Sequence, residues 1–155
     1  MSDLSGRIEG GVHRFPVRVY YEDTDASGVV YHARYLNFIE RARTELLRLG
    51  GADHRALSDK HGIAFAVRRC EIDYAAPARL DDLLEVETQM MESTGASLTV
   101  EQRVRRDGRD LARARLTLVC VTREGKPSRL PESVKAALGS FMQAQGAGGL
   151  NGNHG

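Results

Sequence analysis

One amphipathic run, residues 34–49, constrains this chain more than any other stretch of it. Tyr35, Phe38, Ile39, Ala42, Leu46 and Leu49 recur at three- and four-residue steps, which places them on one face of a helix. Arg34, Asn37, Arg41, Glu45 and Arg48 fall on the other faces. Arg41 with Glu45 and Glu40 with Arg43 stand at pairing distance along the helix, worth about 0.2–0.5 kcal/mol per pair. Gly50-Gly51 ends the run. A stripe this wide and aromatic has to be covered, and a sheet is the element that covers it.

The rest of the chain supplies that sheet. Ahead of the helix, Phe15, Val17, Val19 and Tyr21 alternate with polar residues, and Pro16 suits a first or edge strand. A short polar helix over Asp53–Lys60 follows, closed by Gly62. The period then changes to two. Cys70, Ile72 and Tyr74 alternate with Arg69, Glu71 and Asp73; Leu84, Val86 and Thr88 with Glu85 and Glu87; Leu98, Val100, Gln102 and Val104 with Glu101, Arg103 and Arg105; and Ala114, Leu116, Leu118 and Cys120 with Arg115 and Thr117. Turn residues fill the gaps: Ala76-Pro77 with Asp81-Asp82, Ser93-Thr94-Gly95, and Asp107-Gly108, the last a strong hairpin signal. Glu124-Gly125-Lys126-Pro127 is another turn, and a last helix runs from Pro131 to Met142. The expected fold is α+β, a five-stranded antiparallel sheet wrapped around one long central helix. A parallel βαβ fold is disfavoured, because helices do not alternate with the later strands.

At 155 residues the chain has the length of one domain. Residues 1–14 read as a flexible leader, 15–142 as the single domain and 143–155 as a disordered glycine-rich tail; His154, in that tail, has no role. With 22 basic and 21 acidic residues the net charge is +1, so no overall field attracts nucleic acid. Arg103, Arg105, Arg106, Arg109, Arg113 and Arg115 cluster locally; they could meet the phosphates of a small ligand, but a solvated strand face is the simpler reading. Cys70 and Cys120 have no zinc-like spacing and are too few for a disulfide framework, so both are expected as buried free thiols in a reducing cytoplasm. No apolar core of a leader follows the opening residues, and no run approaches the ~18–20 residues of a membrane span, so the protein is expected to stay where it is made.

The chemistry concentrates between Tyr20 and Arg43. Asp23 and Asp25 stand two apart, Gly28 permits a tight turn, and Tyr31-His32 precede the helix. Asp and Ser often do no more than shape a turn and cap a helix. A metal would need three or four convergent ligands, and Asp23, Asp25 and His32 show no recognisable ligand spacing. The catalytic reading rests on the coincidence of carboxylate, imidazole, small-residue turn and helix start, where unpaired N–H groups and a positive dipole end await an anion. The chain offers no rival nucleophile: Ser27 is in no GxSxG elbow, and neither cysteine has a histidine nearby in sequence. A carboxylate must then attack or activate water.

The run FPVRVYYEDTDASGVVYHARYLNFIERARTELLR resembles the signature of the hotdog-fold acyl-CoA thioesterases of the 4-hydroxybenzoyl-CoA thioesterase type, and within them the tol–pal-associated YbgC-like branch. VRRCEIDYAAPARLDDLLEVET and SLTVEQRV resemble the same branch. The resemblance implies a hotdog fold, with two protomers joining sheets into a homodimer and dimers forming a homotetramer. In the pattern DxDxxGxVYH it makes the second aspartate, Asp25, the catalytic carboxylate, and it places the family's tyrosine and histidine on Tyr21 and His32. Gly28, Val30 and Tyr31 are expected to meet substrate. Ser27 stands where the family commonly has glycine. The implied substrate is an acyl-CoA hydrolysed to carboxylic acid and CoA, with no metal or redox cofactor, in the cytoplasm. Acyl carrier protein or phospholipid-synthesis enzymes are implied partners. The alternatives are a hotdog hydratase or dehydratase, and a non-catalytic module binding acyl carriers near the tol–pal system.

Overall fold

The structure, a computed structural model, describes residues 4–139. Strands β1 (Arg7–Glu9) and β2 (Val12–Arg18) come first, then helices α1 (Arg34–Leu49) and α2 (His54–His61). Strands β3 (Ile63–Tyr74), β4 (Leu83–Ser93), β5 (Ser97–Arg106) and β6 (Arg109–Thr122) follow. A helical run over residues 132–139 closes the described chain. The strands form one antiparallel sheet in the order β1-β2-β4-β5-β6-β3. The tail beyond residue 142, with His154, lies outside the described residues.

The sheet curls around α1 because alternation puts one apolar face on each strand. Leu84, Val86 and Met90 of β4, Leu98, Val100 and Val104 of β5, and Leu111, Ala114, Leu116 and Leu118 of β6 are all buried. They share one core with Tyr35, Phe38, Ile39, Ala42 and Leu46 of α1. Burying Phe38 and Ile39 completely contributes roughly 1.5–3 kcal/mol for each side chain. The stripe differs from expectation at its end: Leu49 is exposed, and Leu47 is buried in its place. Glu45 pairs with Arg48 at 3.2 Å and accepts the Ser5 hydroxyl at 2.7 Å, rather than pairing with Arg41.

Order begins earlier than Phe15, and the leader assigned to residues 1–14 is in part a hairpin. Gly10 and Gly11 both adopt positive φ, +59° and +79°, the geometry of a two-residue turn whose twist matches the strands it joins. That turn folds β1 back onto β2, so the sheet has five long strands and a sixth of three residues.

The opposite face of the sheet is an ion ladder. Arg105 lies 3.0 Å from Glu87 and 2.8 Å from Asp110, Arg103 lies 3.5 Å from Glu101, and Arg106 lies 2.6 Å from Asp82. Arg14 also pairs with Glu87, while Arg113 and Arg115 reach Asp110 and Glu101. The arginine cluster is therefore largely matched by carboxylates across neighbouring strands. Cys120 is buried as expected, whereas Cys70 is exposed, on β3, an edge strand of the sheet. No helix among the described residues is long and apolar enough to cross a membrane.

Candidate active site

The segment from Tyr20 to His32 joins β2 to α1 across one end of the sheet, and its turns are closed from within. A single 3-10 turn, Tyr21–Asp23, comes first. Asp23 is 5% exposed; its carboxylate accepts the Tyr20 amide at 2.8 Å and stands 3.7 Å from the Arg34 guanidinium, while its carbonyl accepts the Tyr31 amide at 3.0 Å. Asp23 thus ties the turn to the start of α1. Of the two aspartates, it is the structural one.

Asp25 faces the other way and is exposed. The Gly28 amide donates to the Asp25 carbonyl at 3.0 Å and the Asp25 amide to the Val29 carbonyl at 2.9 Å, and Gly28 takes φ +82°, where a Cβ would be strained. Thr24 and Val30 form an isolated bridge across this loop, and Val29 bridges Arg79. The Val30 amide donates to Ala78 at 2.8 Å, and the Ala78 amide in turn donates to the Tyr35 hydroxyl at 3.0 Å. The loop is pinned between the β3–β4 connection and the first turn of the central helix.

Within this frame the Asp25 carboxylate is held at one oxygen. Oδ1 accepts both the Ser27 amide, at 2.8 Å, and the Ser27 hydroxyl, at 2.6 Å. These bonds, the hydroxyl first, hold the Asp25 carboxyl below the usual carboxylate range. Asp25 is therefore an anion at neutral pH with its position fixed. His32 is fixed from the far side of the sheet: the Tyr74 hydroxyl donates to its carbonyl at 2.9 Å, and its ring stands edge-on to Tyr74 at 6.2 Å and tilted to Tyr31 at 4.7 Å.

The helix start completes the geometry. The amides of Tyr31 and Arg34 are engaged by Asp23 and Tyr31 carbonyls, whereas among the described residues no acceptor faces the amides of His32 and Ala33. They lie where a helix N-terminus favours negative charge. An ionised carboxylate, an imidazole and open amides thus occupy one short, exposed segment. Such a set suits addition to a carbonyl whose oxygen becomes an anion.

Five of the six residues named from the sequence stand at this surface. Asp25, His32, Gly28 and Tyr31 are exposed, and Tyr21 is 82% exposed, its carbonyl accepting the Thr24 amide and hydroxyl at 3.1 and 2.8 Å. Val30 departs from expectation: its side chain is 5% exposed, inside the core, because the loop needs an apolar anchor where it bridges Thr24. Its burial ties the loop to the core. No hydrogen bond joins Asp25 to His32 or Tyr21; each is held by its own partners. Sequence reasoning missed Ser27 and Tyr74 as parts of the site. A hydroxyl two residues after an aspartate is a readable signal for the first. Nothing in sequence links Tyr74 to His32, which is 42 positions away.

A curled antiparallel sheet around one central helix, with a carboxylate presented at the helix start, defines the hotdog class of thioester-hydrolysing domains. The chain belongs to the thioesterase-like superfamily, whose family model matches residues 19–138. It is 52% identical over 125 residues to the acyl-CoA thioesterase YbgC of Haemophilus influenzae, a match covering 80% of this chain and 92% of that one. It is 50% identical over 125 residues to the acyl-CoA thioester hydrolase YbgC of Escherichia coli O6:H1, covering 79% and 92% of the two chains. Among solved structures, a probable thioesterase from Bartonella henselae matches with a TM-score of 0.74 at 42% identity, covering 77% of this chain and 99% of that one.

Proposed function

We propose that this protein is an acyl-CoA thioesterase that hydrolyses its substrate to a carboxylic acid and free CoA, with Asp25 as the reacting carboxylate. The observation that carries this reading is Asp25 itself: exposed, ionised, and fixed through Oδ1 by Ser27 at the edge of the helix start. The thioester carbonyl sits with its oxygen toward the amides of His32 and Ala33. Each such donor contributes on the order of 3 kcal/mol to the tetrahedral stage. Asp25 attacks the carbonyl carbon, the C–S bond breaks, and water then cleaves the mixed anhydride; alternatively Asp25 takes the proton of a water that attacks directly. Both routes require the ionised form. His32 orients water or gives a proton to the departing thiolate, and Tyr21 holds the substrate at the mouth of the site.

We infer further that the working unit is a homodimer, assembled as a homotetramer. Strand β3 supports the dimer: it is the longer of the sheet's two edge strands, twelve residues against the three of β1, with Val67 50% exposed, and such an edge invites pairing with another chain. The two free thiols suit a reducing cytoplasm, where acyl-CoA would be the substrate and acyl carrier protein or phospholipid-synthesis enzymes the partners, in association with the tol–pal system. A panel of acyl-CoAs assayed by thiol release tests the activity. Asp25→Asn is expected to lower turnover by at least ~10²-fold with fold and ligand binding retained. Turnover near that of the unaltered enzyme would remove Asp25 from the reaction.

A further inference from the structure

Asp25 and His32 share no hydrogen bond among the described residues, yet a reaction that uses both needs their relative position fixed. The link between them runs through Ala78 and Tyr35. Ala78, in the β3–β4 connection, is wholly buried and faces two ways. Its carbonyl accepts the Val30 amide at 2.8 Å, and its amide donates to the Tyr35 hydroxyl at 3.0 Å. Val29, next to Val30, accepts the Asp25 amide at 2.9 Å. The Asp25 loop therefore hangs from the first turn of α1 through one residue. On its other side the Tyr35 ring stands edge-on to the Tyr74 ring at 5.4 Å, and the Tyr74 hydroxyl donates to the His32 carbonyl at 2.9 Å. Tyr35 thus meets both arms, the carboxylate loop through its hydroxyl and the imidazole through its ring.

Ala78 is a fixed point in this arrangement. Before it, the amides of Ala75 and Ala76 both donate to the Leu111 carbonyl, at 2.8 and 3.2 Å; after it, the Arg79 amide donates at 2.8 Å to the Asp82 carboxylate, which Arg106 holds at 2.6 Å. A phenylalanine would fill the same space in the core, where Tyr35 packs against Phe38. Packing does not account for the hydroxyl. Without it the Ala78 amide is buried with no acceptor, and the connection, with the Asp25 loop bonded to it, has to shift to find one. Burial pushes the Tyr35 hydroxyl above the ordinary tyrosine range, so it keeps its proton wherever the reaction is measured. Val30, Tyr35 and Ala78 are at most 5% exposed within a single chain, so the linkage is complete without a second protomer.

Resting on the thioesterase reading, we propose that Tyr35 is a positioning residue: its hydroxyl, through Ala78 and Val30, sets the Asp25 carboxylate against the helix start, while its ring, through Tyr74, keeps His32 in register with it. Its effect reaches the reaction only through those partners. Losing the hydroxyl therefore slows the chemical step but leaves substrate binding in place. The charge of Asp25 is kept as well, because Ser27 still holds Oδ1. Since both arms act on one spatial relation, breaking either forfeits most of what breaking both does.

The test follows thiol release by the purified full-length protein from acetyl-, hexanoyl- or palmitoyl-CoA, whichever the unaltered enzyme turns over fastest. It compares Tyr35→Phe, Tyr74→Phe, the double variant, and Leu57→Val, a core change in α2 beyond the far end of α1. Tyr35→Phe is expected to lower kcat by at least ~10-fold with KM changed by less than about 2-fold, and to leave the acid limb of the kcat/KM profile where it was. The double variant should lose little more than Tyr35→Phe alone, and Leu57→Val should keep kcat although its thermal midpoint falls. The assignment is overturned by a kcat retained in Tyr35→Phe, by a loss that appears in KM instead, by a displaced acid limb, or by losses that multiply in the double variant. It is overturned equally if Leu57→Val loses as much kcat, or if Tyr35→Phe does not fold, since the hydroxyl would then serve the fold at large. Any of these leaves the activity of the unaltered enzyme standing, whereas no thiol release from all three substrates would sink the thioesterase reading and this proposal with it.

Discussion

Asp25 keeps its charge because one of its oxygens is doubly engaged and no apolar wall stands over it. The Ser27 hydroxyl is the larger influence on that carboxyl, ahead of the Ser27 amide. Bonds that favour the anion lower the folded pKa, so the ionised form persists as pH falls and is lost only when pH passes below that lowered value. Removing the hydroxyl returns the titration toward the ordinary carboxylate range. Ser27→Ala is therefore expected to move the acid limb of the kcat/KM profile to higher pH, while the retained amide bond preserves the fold. An acid limb unmoved in Ser27→Ala would show that the hydroxyl does not govern Asp25. Asp23, two residues earlier, illustrates how little residue type decides: the same side chain, buried against Tyr20 and Arg34, is a staple.

At the scale of the element, the β1–β2 hairpin has its own pH sensitivity through His13. The ring is 1% exposed, its Nε2 lies 2.7 Å from the Ser5 carbonyl, and its Nδ1 has no partner among the described residues. Burial lowers its pKa, against the opposing pull of the Ser5 carbonyl and Glu45. The unfolded chain, near pKa ~6.5, then takes up the proton before the folded one does. Stability is full above that value and declines as pH falls from it toward the lowered folded pKa. Thermal unfolding at pH 7.5 and 5.5 should show a smaller drop in midpoint for His13→Gln, which can still donate to Ser5 but does not titrate. Equal drops in the two proteins would exclude His13 as the source. Helix α1 shows the opposite character: its apolar stripe is independent of pH and is set by spacing alone.

For the whole molecule, the unpaired edge of β3 sets the expectation. A long edge with Val67 and Cys70 exposed beside an apolar groove is a surface that a monomer in water keeps at the risk of aggregation. Val67→Lys, at an exposed position, should change the stability of the single fold by only about 0.5 kcal/mol, yet place a charge at the centre of the edge. Light scattering is expected to give a dimeric or tetrameric mass for the unaltered protein and a monomeric mass with reduced thiol release for Val67→Lys. Full activity at a monomeric mass would show that a second copy is not required.

The spacing of Tyr35, Phe38, Ile39, Ala42 and Leu46, and the two-residue alternation of the later strands, determined the central helix, the antiparallel sheet and which face of each is buried, because these are local periodicities written in consecutive residues. The turn chemistry around Asp25 and Gly28 was legible for the same reason. What tertiary structure alone decided is every relation between residues distant in the chain. Tyr74 steadies His32, Val30 turns inward against Ala78, Gln102 draws Arg43 under the helix, and the arginines of β5 and β6 meet carboxylates. Periodicity fixes which side of an element is apolar. It leaves open which distant group a polar side chain meets, because that depends on how the elements are brought together.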